Sequence, residues 1–432
     1  MKSKKEYIYV SLLIFGMFFG AGNLIFPPFV GKEAGTSVFL AMIGFGITST
    51  AATMLGVYIA FKENIMNVIY SKLGEKFTKL LFIASCCTIS VVAVPRAAIL
   101  PFDMIISEII SNPRLIFIFR LIYIAIFFGL VYYLSYNQSS ILSVIGKFLT
   151  PLLLVLIFIV TLTTFLTQEI SLMSPSIKYA TNPIFKGFAD GYNTMDTLGG
   201  IIVGITVVNI IKKNYNLEKK ELYKHGKIGT IIAGLIMFSI YFILSFIGAG
   251  LSKHYPNAKN GAVILREIIK LLYGNFGIFV LTLIFFVACL TVCIAILTFT
   301  SESNYQAFPK IEYNNWMKFF LLLSLFLSSL SLDGILRVSI PILLISYPPM
   351  VLIILLEFFK TNNKIVYRGT MLVLLILNTL TVINSMIIKL PLIGVLLSKL
   401  PFYSENFSWL IPTLLVYISL NIFVKIKNIR VV

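Results

Sequence analysis

The chain has 432 residues, of which 58% are hydrophobic and only 12% are charged, and its formal net charge is +18. Soluble proteins carry about 25% charged residues, so this composition excludes an ordinary soluble protein. It indicates a chain that crosses a lipid bilayer several times, since each crossing takes about 20 apolar residues. The positive charge fits the basic cytoplasmic loops of membrane proteins, and no basic domain is present to bind nucleic acid.

Twelve segments are predicted as membrane spans. The first follows the charged start MKSKKEYIYV, and we expect it to be retained because it is too long for a signal peptide and lacks a cleavage site. An amphipathic helix is predicted near 259–272. Both termini are predicted to be cytoplasmic, because basic residues then gather in the inside loops. The predicted spans are 8–31, 37–61, 77–100, 114–136, 141–166, 185–211, 226–251, 275–301, 315–331, 336–359, 366–389 and 407–427.

Within the first span, the stretch GMFFGAGNLIFPPF (16–29) combines three glycines, an asparagine and two adjacent prolines. Polar backbone at membrane depth is tolerated only where it lines a cavity or is buried in protein. An unwound segment at Gly20-Ala21-Gly22 would expose amides that hold an anion and carbonyls that hold a cation. A helix-packing face is the alternative, since Gly16 and Gly20 form a small-xxx-small pattern. Packing requires neither Asn23 nor the prolines.

A second interruption is predicted in the sixth span, at FADGYNTMDTLGG (188–200). Ionisable groups inside a membrane are costly and usually functional. We expect Asp196 to be functional, whereas Asp190 fits a functional or an interfacial position equally well. Spans 1 and 6 each open a block of five, which is typical of two inverted repeats. The predicted architecture is therefore one transmembrane domain over 1–432, with repeats at about 8–166 and 185–359 and extra helices at about 366–427.

Five motifs in this order resemble the branched-chain amino acid carrier family of bacteria. They are GAGNLIFPP (20–28), VPRAA (94–98), GKFLTP (146–151), GYNTMDTL (191–198) and ACLTVCIAIL (288–297). The resemblance implies an all-α, LeuT-type 5+5 inverted repeat with broken helices 1 and 6. It also implies cation-coupled symport of leucine, isoleucine and valine into the cell, usually with sodium, across the bacterial cell membrane.

By the same resemblance, the unwound part of span 1 holds the substrate carboxylate through amides and sodium through carbonyls. Oxygen ligands suit such a hard cation. The implied substrate contacts are Gly20, Ala21, Gly22, Tyr192, Asn193 and Asp196. The implied contacts of one sodium site are Gly16, Phe18, Phe19, Asn23 and Thr194. A second sodium site is implied in span 8, at the Ala288 carbonyl and the Thr291 hydroxyl.

One position departs from related sodium carriers, which commonly place a second hydroxyl directly after the first in span 8. This chain has Val292 there, so the second sodium site is expected to be weakened, lost or rebuilt elsewhere. A proton is then the alternative coupling ion, with Lys147 or Asp196 as its carrier, although Lys147 equally fits a cytoplasmic-end anchor. Arg96 and Asp103 are two helical turns apart, although Pro101 is expected to interrupt the turn between them. They are expected to form an ion pair, and a gate or substrate contact is the alternative role of Arg96.

Other functional classes are disfavoured by the absence of their motifs. No HExxH, GxSxG or GxxxxGK[ST] pattern occurs, so neither an enzyme nor a primary pump is expected. All four cysteines lie in apolar runs, which argues against a disulfide framework or a Cys/His metal site. A channel would need a repeated pore loop, whereas a non-transporting amino-acid sensor is an open alternative. We expect no organic cofactor, no nucleic acid and no obligate protein partner.

Overall fold

The computed structural model describes residues 2–62, 64–110, 112–136, 142–215, 218–258, 260–329 and 332–429. Over these ranges the backbone forms helices joined by turns, and no β-strand occurs among them. This architecture suits a bilayer, because a helix bonds its own backbone groups where no water is available. The all-α prediction is confirmed for the described residues.

The α-helices are numbered in chain order. Helices α1 to α9 cover Lys2–Phe18, Ala21–Ala34, Val38–Gly46, Ala52–Ala60, Ile65–Leu73, Glu75–Ile109, Pro113–Ser135, Thr150–Thr167 and Ile177–Thr181. Helices α10 to α18 cover Pro183–Gly191, Asp196–Asn214, Lys219–Gly250, Gly261–Ala307, Tyr313–Ser328, Leu332–Phe358, Lys364–Val382, Pro391–Leu397 and Leu410–Ile429. Wider π-helical turns occupy Ile47–Ala51, Leu142–Leu149 and Ile383–Ile387.

Eight of the described helical segments are long and apolar enough to cross a membrane, and the bent pair of α10 and α11 would be a ninth. A multi-span membrane protein is thereby confirmed, but the described helices do not reach the predicted number of twelve. One reason is that Gly22–Ala60 forms one apolar stretch across two predicted spans, in which only a short turn at Gly35 (φ 50°) separates α2 from α3. Another is that α14 has only 16 residues.

The chain divides into two compact units. The first comprises Met1–Phe61 and Ile89–Ile335, and the second comprises Lys62–Thr88 and Leu336–Val432. In the first unit, α12 packs against α1 and α2, α10 against α3, and α11 against α4. Glycine permits two of these crossings, since a Cβ atom on Gly31 would lie 1.8 Å from the Ser245 carbonyl oxygen and one on Gly187 would lie 1.9 Å from that of Ala41.

Helix breakers act at only some of the expected positions. Gly274, with φ 58° and ψ −146°, separates the predicted amphipathic helix from the membrane part of α13. By contrast, α6 continues through Pro95 and Pro101, so the predicted interruption at Pro101 is wrong. A proline removes one intrahelical hydrogen bond, and in this helix the remaining bonds and the surrounding packing keep the turn intact.

The second unit contains a buried ion pair. The Lys72 Nζ atom lies 2.8 Å from Oε1 of Glu357, and both side chains are almost fully buried. The Lys62 ammonium group donates to the Glu357 carbonyl at 3.0 Å, and Nε of Arg368 donates to the Lys72 carbonyl at 2.9 Å. The Lys72 ammonium also lies 5.4 Å from the centre of the Tyr367 ring. This network joins α5 to α15 and α16.

Candidate functional site

The first predicted span is interrupted between α1 and α2. Helix α1 ends at Phe18 and α2 begins at Ala21, the side chain of which lies outside the described residues. Between them, Gly20 adopts an extended conformation (φ −125°, ψ −159°). Its carbonyl oxygen accepts a hydrogen bond from the backbone N–H of Asn23 at 3.1 Å. The break therefore lies at Phe19 and Gly20, at the start of the predicted Gly20-Ala21-Gly22 segment, whereas Ala21 and Gly22 already belong to the first turn of α2. Pro27 and Pro28 lie inside α2, which continues to Ala34.

A second break separates α10 from α11. After α10, Tyr192–Thr194 form a short 3₁₀ turn and Met195 adopts a left-handed conformation (φ 67°, ψ 3°) before α11 starts at Asp196. The two helical parts are bent by 50°. A left-handed residue other than glycine costs about 1–2 kcal/mol. Such strain persists only where the surrounding structure enforces it, commonly at functional sites.

Three buried side chains from α2, α11 and α12 meet at these breaks. Oδ2 of Asp196 accepts hydrogen bonds from Nδ2 of Asn23 at 3.0 Å and from the Tyr241 hydroxyl at 3.1 Å. Nδ2 of Asn23 also lies 2.5 Å from the Tyr241 hydroxyl and 3.2 Å from the Phe18 carbonyl oxygen. An amide nitrogen has two hydrogens, so it cannot serve three acceptors. Oxygen atoms are thus in surplus at this point.

Sequence reasoning did not single out Tyr241. It lies in a long apolar run of α12 and its side chain is fully buried, stacked 6.0 Å from the Phe19 ring and edge-on to Phe45 at 5.6 Å. A buried tyrosine hydroxyl normally finds a hydrogen-bond partner. A tyrosine inside an apolar run was therefore the available sign that a buried polar group lies nearby. The sequence alone did not show which polar group would form the hydrogen bond with the Tyr241 hydroxyl.

The other predicted residues of the second break have separate roles. The Thr194 hydroxyl is buried and donates to the Gly191 carbonyl at 3.0 Å. The Tyr192 ring is also buried, and its centre lies 6.0 Å from that of Phe188. Asn193 contributes its carbonyl oxygen, which lies 3.5 Å from both terminal nitrogens of Arg96.

Asp190 belongs to a different cluster. Its carboxylate lies 2.6 Å from the Lys186 ammonium and accepts a 2.5 Å hydrogen bond from the Tyr179 hydroxyl. Burial and the negative charge of Asp190 both raise the pKa of Tyr179. Because Asp190 is partly exposed and already paired, it fits the interfacial reading rather than the functional one.

Arg96 extends from α6 to both breaks. Besides its contact with the Asn193 carbonyl, the guanidinium carbon lies 5.3 Å from the Phe26 ring centre. A Cβ atom on Gly22 would lie 2.8 Å from a terminal nitrogen of Arg96, so the absence of a side chain there admits the guanidinium. The predicted ion pair of Arg96 with Asp103 is wrong, because Asp103 pairs with Arg120 at 3.3 Å.

A cavity of about 40 Å³ lies between the two breaks, with room for roughly three water molecules. Gly20, Gly22, Asn23, Thr194 and Asp196 line it, as the sequence predicted for a binding site, and so does Arg96. The Tyr192 and Asn193 side chains are not among its described lining residues. Most of the remaining wall is apolar, and it includes Met17, Ile89, Val203, Val292, Ile296 and Phe299.

Three of the residues predicted to bind ions are not among the described residues that line this cavity. They are Gly16, expected at the first ion site, and Ala288 and Thr291, expected at a second. A Cβ atom on Gly16 would lie 2.1 Å from the Thr150 hydroxyl oxygen, so this glycine allows close packing. Ala288 and Thr291 are fully buried, and the Thr291 hydroxyl donates to the Val287 carbonyl of its own helix at 2.7 Å. The second ion site stays a prediction.

Two further predicted positions lie in distinct surroundings. Val292 covers the first break, because a Cβ atom on Gly20 would lie 2.7 Å from its Cγ1 atom. Lys147 is exposed in the π-helical segment before α8, with its ammonium group 5.2 Å from the centre of the Tyr9 ring. It is not among the described residues that line the cavity.

A family model described as "Branched-chain amino acid transport protein" matches residues 3–427. The chain belongs to this family. It is 30% identical over 426 residues to the branched-chain amino acid permease BrnQ of Bacillus subtilis, covering 95% of each chain. It is also 31% identical over 419 residues to the permease BraB of the same organism, covering 94% of this chain and 93% of that one.

Among solved structures, the chain resembles a Na⁺-coupled sialic acid symporter in a substrate-bound outward-open state. The TM-score is 0.53 at 13% identity, and the match covers 96% of each chain. At this identity the likeness concerns the fold alone. The permease relatives are transporters rather than enzymes, so family membership makes this chain a membrane transporter and not an enzyme.

Proposed function

We propose that this transporter is a sodium-coupled symporter that carries leucine, isoleucine and valine into the cell by alternating access. The observation that carries the proposal is the surplus of buried oxygen atoms at Asn23, which borders a mostly apolar cavity between two broken helices. The oxygen atoms suit a cation, and the lining of the cavity suits an apolar amino acid, for which the 40 Å³ cavity must widen. In symport the two bind together.

The geometry around Asn23 supports a cation site. Its amide nitrogen faces the Phe18 carbonyl, the Asp196 carboxylate and the Tyr241 hydroxyl, all within 3.2 Å. Turning the amide by 180° would direct its own oxygen to the same place, which gives a fourth oxygen ligand. The buried carboxylate supplies negative charge, and hard cations prefer such oxygen atoms. Thr194 adds a hydroxyl group close to this cluster.

The cavity wall supports a branched aliphatic substrate. Val203, Val292 and Ile296 form part of the apolar wall of the cavity, which Gly20 and Gly22 also line. Binding energy between apolar side chains that differ by one methylene changes by only about 1–3 kcal/mol. A carrier with such a wall therefore accepts leucine, isoleucine and valine alike.

We further propose twelve spans in a LeuT-type arrangement of two inverted five-span repeats followed by two helices. The support is that the breaks at Gly20 and Met195 lie in corresponding predicted spans and border one cavity. Breaks of this kind line a midplane site in repeat-built transporters. We place both termini in the cytoplasm of a bacterial cell, because the basic loops then lie inside.

The test is leucine uptake into proteoliposomes that contain the purified protein, with and without an inward sodium gradient. Isoleucine, valine and alanine serve as competitors. The expected result is sodium-driven uptake that isoleucine and valine block and alanine blocks weakly. Asp196→Asn should abolish sodium dependence, whereas Asp190→Asn, which removes a carboxylate outside the cavity, should leave uptake within twofold.

Other outcomes would identify the alternatives. Uptake that ignores sodium but follows a proton gradient would favour proton coupling through Asp196, since Lys147 is exposed away from the cavity. Binding of leucine without uptake under either gradient would favour a sensor. Either result would contradict the sodium symport proposal.

A further inference from the structure

We propose that Arg96 is the anchor for the substrate α-carboxylate, and that Asp196 faces the α-ammonium group across the same cavity. The inference rests on the proposed function, because it concerns how the same cavity selects its substrate. It adds a side-chain contact to the backbone amides that the resemblance implies. The cavity would then require both charged groups of a zwitterionic amino acid.

The position of Arg96 provides the first argument. Its guanidinium group lies directly over Gly22, close to the N-terminus of α2, and it lines the cavity. The exposed amides of a helix N-terminus also attract a carboxylate. A carboxylate in the cavity at this terminus would therefore meet the Arg96 side chain as well as the amides.

The bonding of Arg96 provides the second argument. A guanidinium group carries five N–H donors, yet its hydrogen bonds here are two long contacts of 3.5 Å to a single carbonyl, that of Asn193. Among the described residues, no carboxylate lies within ion-pair distance of it, although Asp196 attracts it from further away. A buried charge without a close partner is costly. A substrate carboxylate would supply that partner.

The complementary charges of the cavity provide the third argument. Among the residues that line it, Arg96 and Asp196 are those with opposite charges, and most of the remaining wall is apolar. An α-amino acid places a cation and an anion on one carbon atom and an aliphatic group beside them. The lining therefore offers a suitable partner to each of the three parts of a branched-chain amino acid, once the cavity has widened to hold it.

A purely structural role for Arg96 makes a different prediction. In that case Arg96 would hold the second break through the Asn193 carbonyl and pack on Phe26. Its removal would then weaken every ligand to the same extent. A comparison of two ligands that differ only in the carboxylate separates the two roles.

The experiment measures leucine and leucinamide binding by calorimetry at saturating sodium, using purified wild-type protein, Arg96→Gln and Arg96→Lys. Leucinamide keeps the ammonium group and side chain but replaces the carboxylate with an uncharged amide. Arg96→Gln should raise the Kd of leucine about 10- to 100-fold, the range of a charge-assisted hydrogen bond, and that of leucinamide less than threefold. Arg96→Lys should fall between wild type and Arg96→Gln, because one contact replaces a fork.

Arg120→Gln is the matched control, since Arg120 pairs with Asp103 and does not line the cavity. It should leave both affinities unchanged. Equal losses for leucine and leucinamide in Arg96→Gln would overturn the proposal and favour the structural role. If Arg96→Gln does not fold, Arg96→Lys provides the same comparison, and equal affinity of the wild-type protein for both ligands would by itself refute a carboxylate anchor. A wild-type protein that binds no leucine would instead refute the proposed function.

Discussion

Breaking the buried ion pair between Lys72 and Glu357 should destabilise the second unit strongly. The two charged atoms are 2.8 Å apart, and their side chains are only 7% and 5% exposed. Lys72→Met keeps the length of the side chain but leaves the Glu357 carboxylate buried without its closest cation. Removing one partner of such a pair costs about 3–5 kcal/mol, because the remaining charge has lost its water as well.

Replacing both partners should behave differently. The double variant Lys72→Met with Glu357→Leu leaves no buried charge, and such replacements are often neutral or stabilising. We therefore expect the double variant to recover most of the free energy lost in Lys72→Met. Equilibrium unfolding by SDS in mixed micelles measures these differences. The matched control is the more exposed pair of Glu75 and Lys79 at the start of α6, the side chains of which are 63% and 28% exposed, and where Lys79→Met should cause no measurable change.

The reasoning fails under either of two results. Equal destabilisation by Lys72→Met and by Lys79→Met would show that burial does not govern the strength of the pair. A double variant that is no more stable than Lys72→Met alone would show that the unpaired Glu357 carboxylate is not what destabilises the single variant. Folding of each variant is checked first by size-exclusion chromatography.

Three further predictions concern the first unit. Gly20→Ala should cost about 1–3 kcal/mol in SDS unfolding, because its Cβ atom would overlap Val292 at 2.7 Å, and Val292→Ala should partly rescue it. Tyr241→Phe should raise the sodium concentration for half-maximal leucine uptake about two- to tenfold, by loss of one hydrogen-bonding hydroxyl. Gly187→Ala should prevent folding, since its Cβ atom would meet backbone at 1.9 Å, whereas Gly129→Ala, with nothing within 4 Å, should leave unfolding unchanged or stabilise by up to about 1 kcal/mol.

The amino-acid sequence by itself determined the class of the protein and the places where its helices break. Hydropathy is a local property, so a membrane protein follows from composition and from runs of about 20 apolar residues. The break at Gly20 and the break before Asp196 were predictable for the same reason. Each is encoded by neighbouring residues that weaken a helix or that are costly inside a membrane.

Local patterns misled where packing overrode them. Pro101 was expected to interrupt its helix, and Arg96 was expected to pair with Asp103 two turns away. The helix instead continues, and Arg96 reaches the Asn193 carbonyl, 97 residues along the chain. Spacing along one helix shows which side chains share a face. It does not show whether a neighbouring helix offers a better partner.

Tertiary structure alone decided the composition of the site. Asn23 meets Asp196 across 173 residues and Tyr241 across 218, and Lys72 meets Glu357 across 285. No local pattern encodes such pairs, because each partner by itself is only a polar group in an apolar run. Burial requires every polar group to find a partner, and which partner it finds depends on how the helices pack.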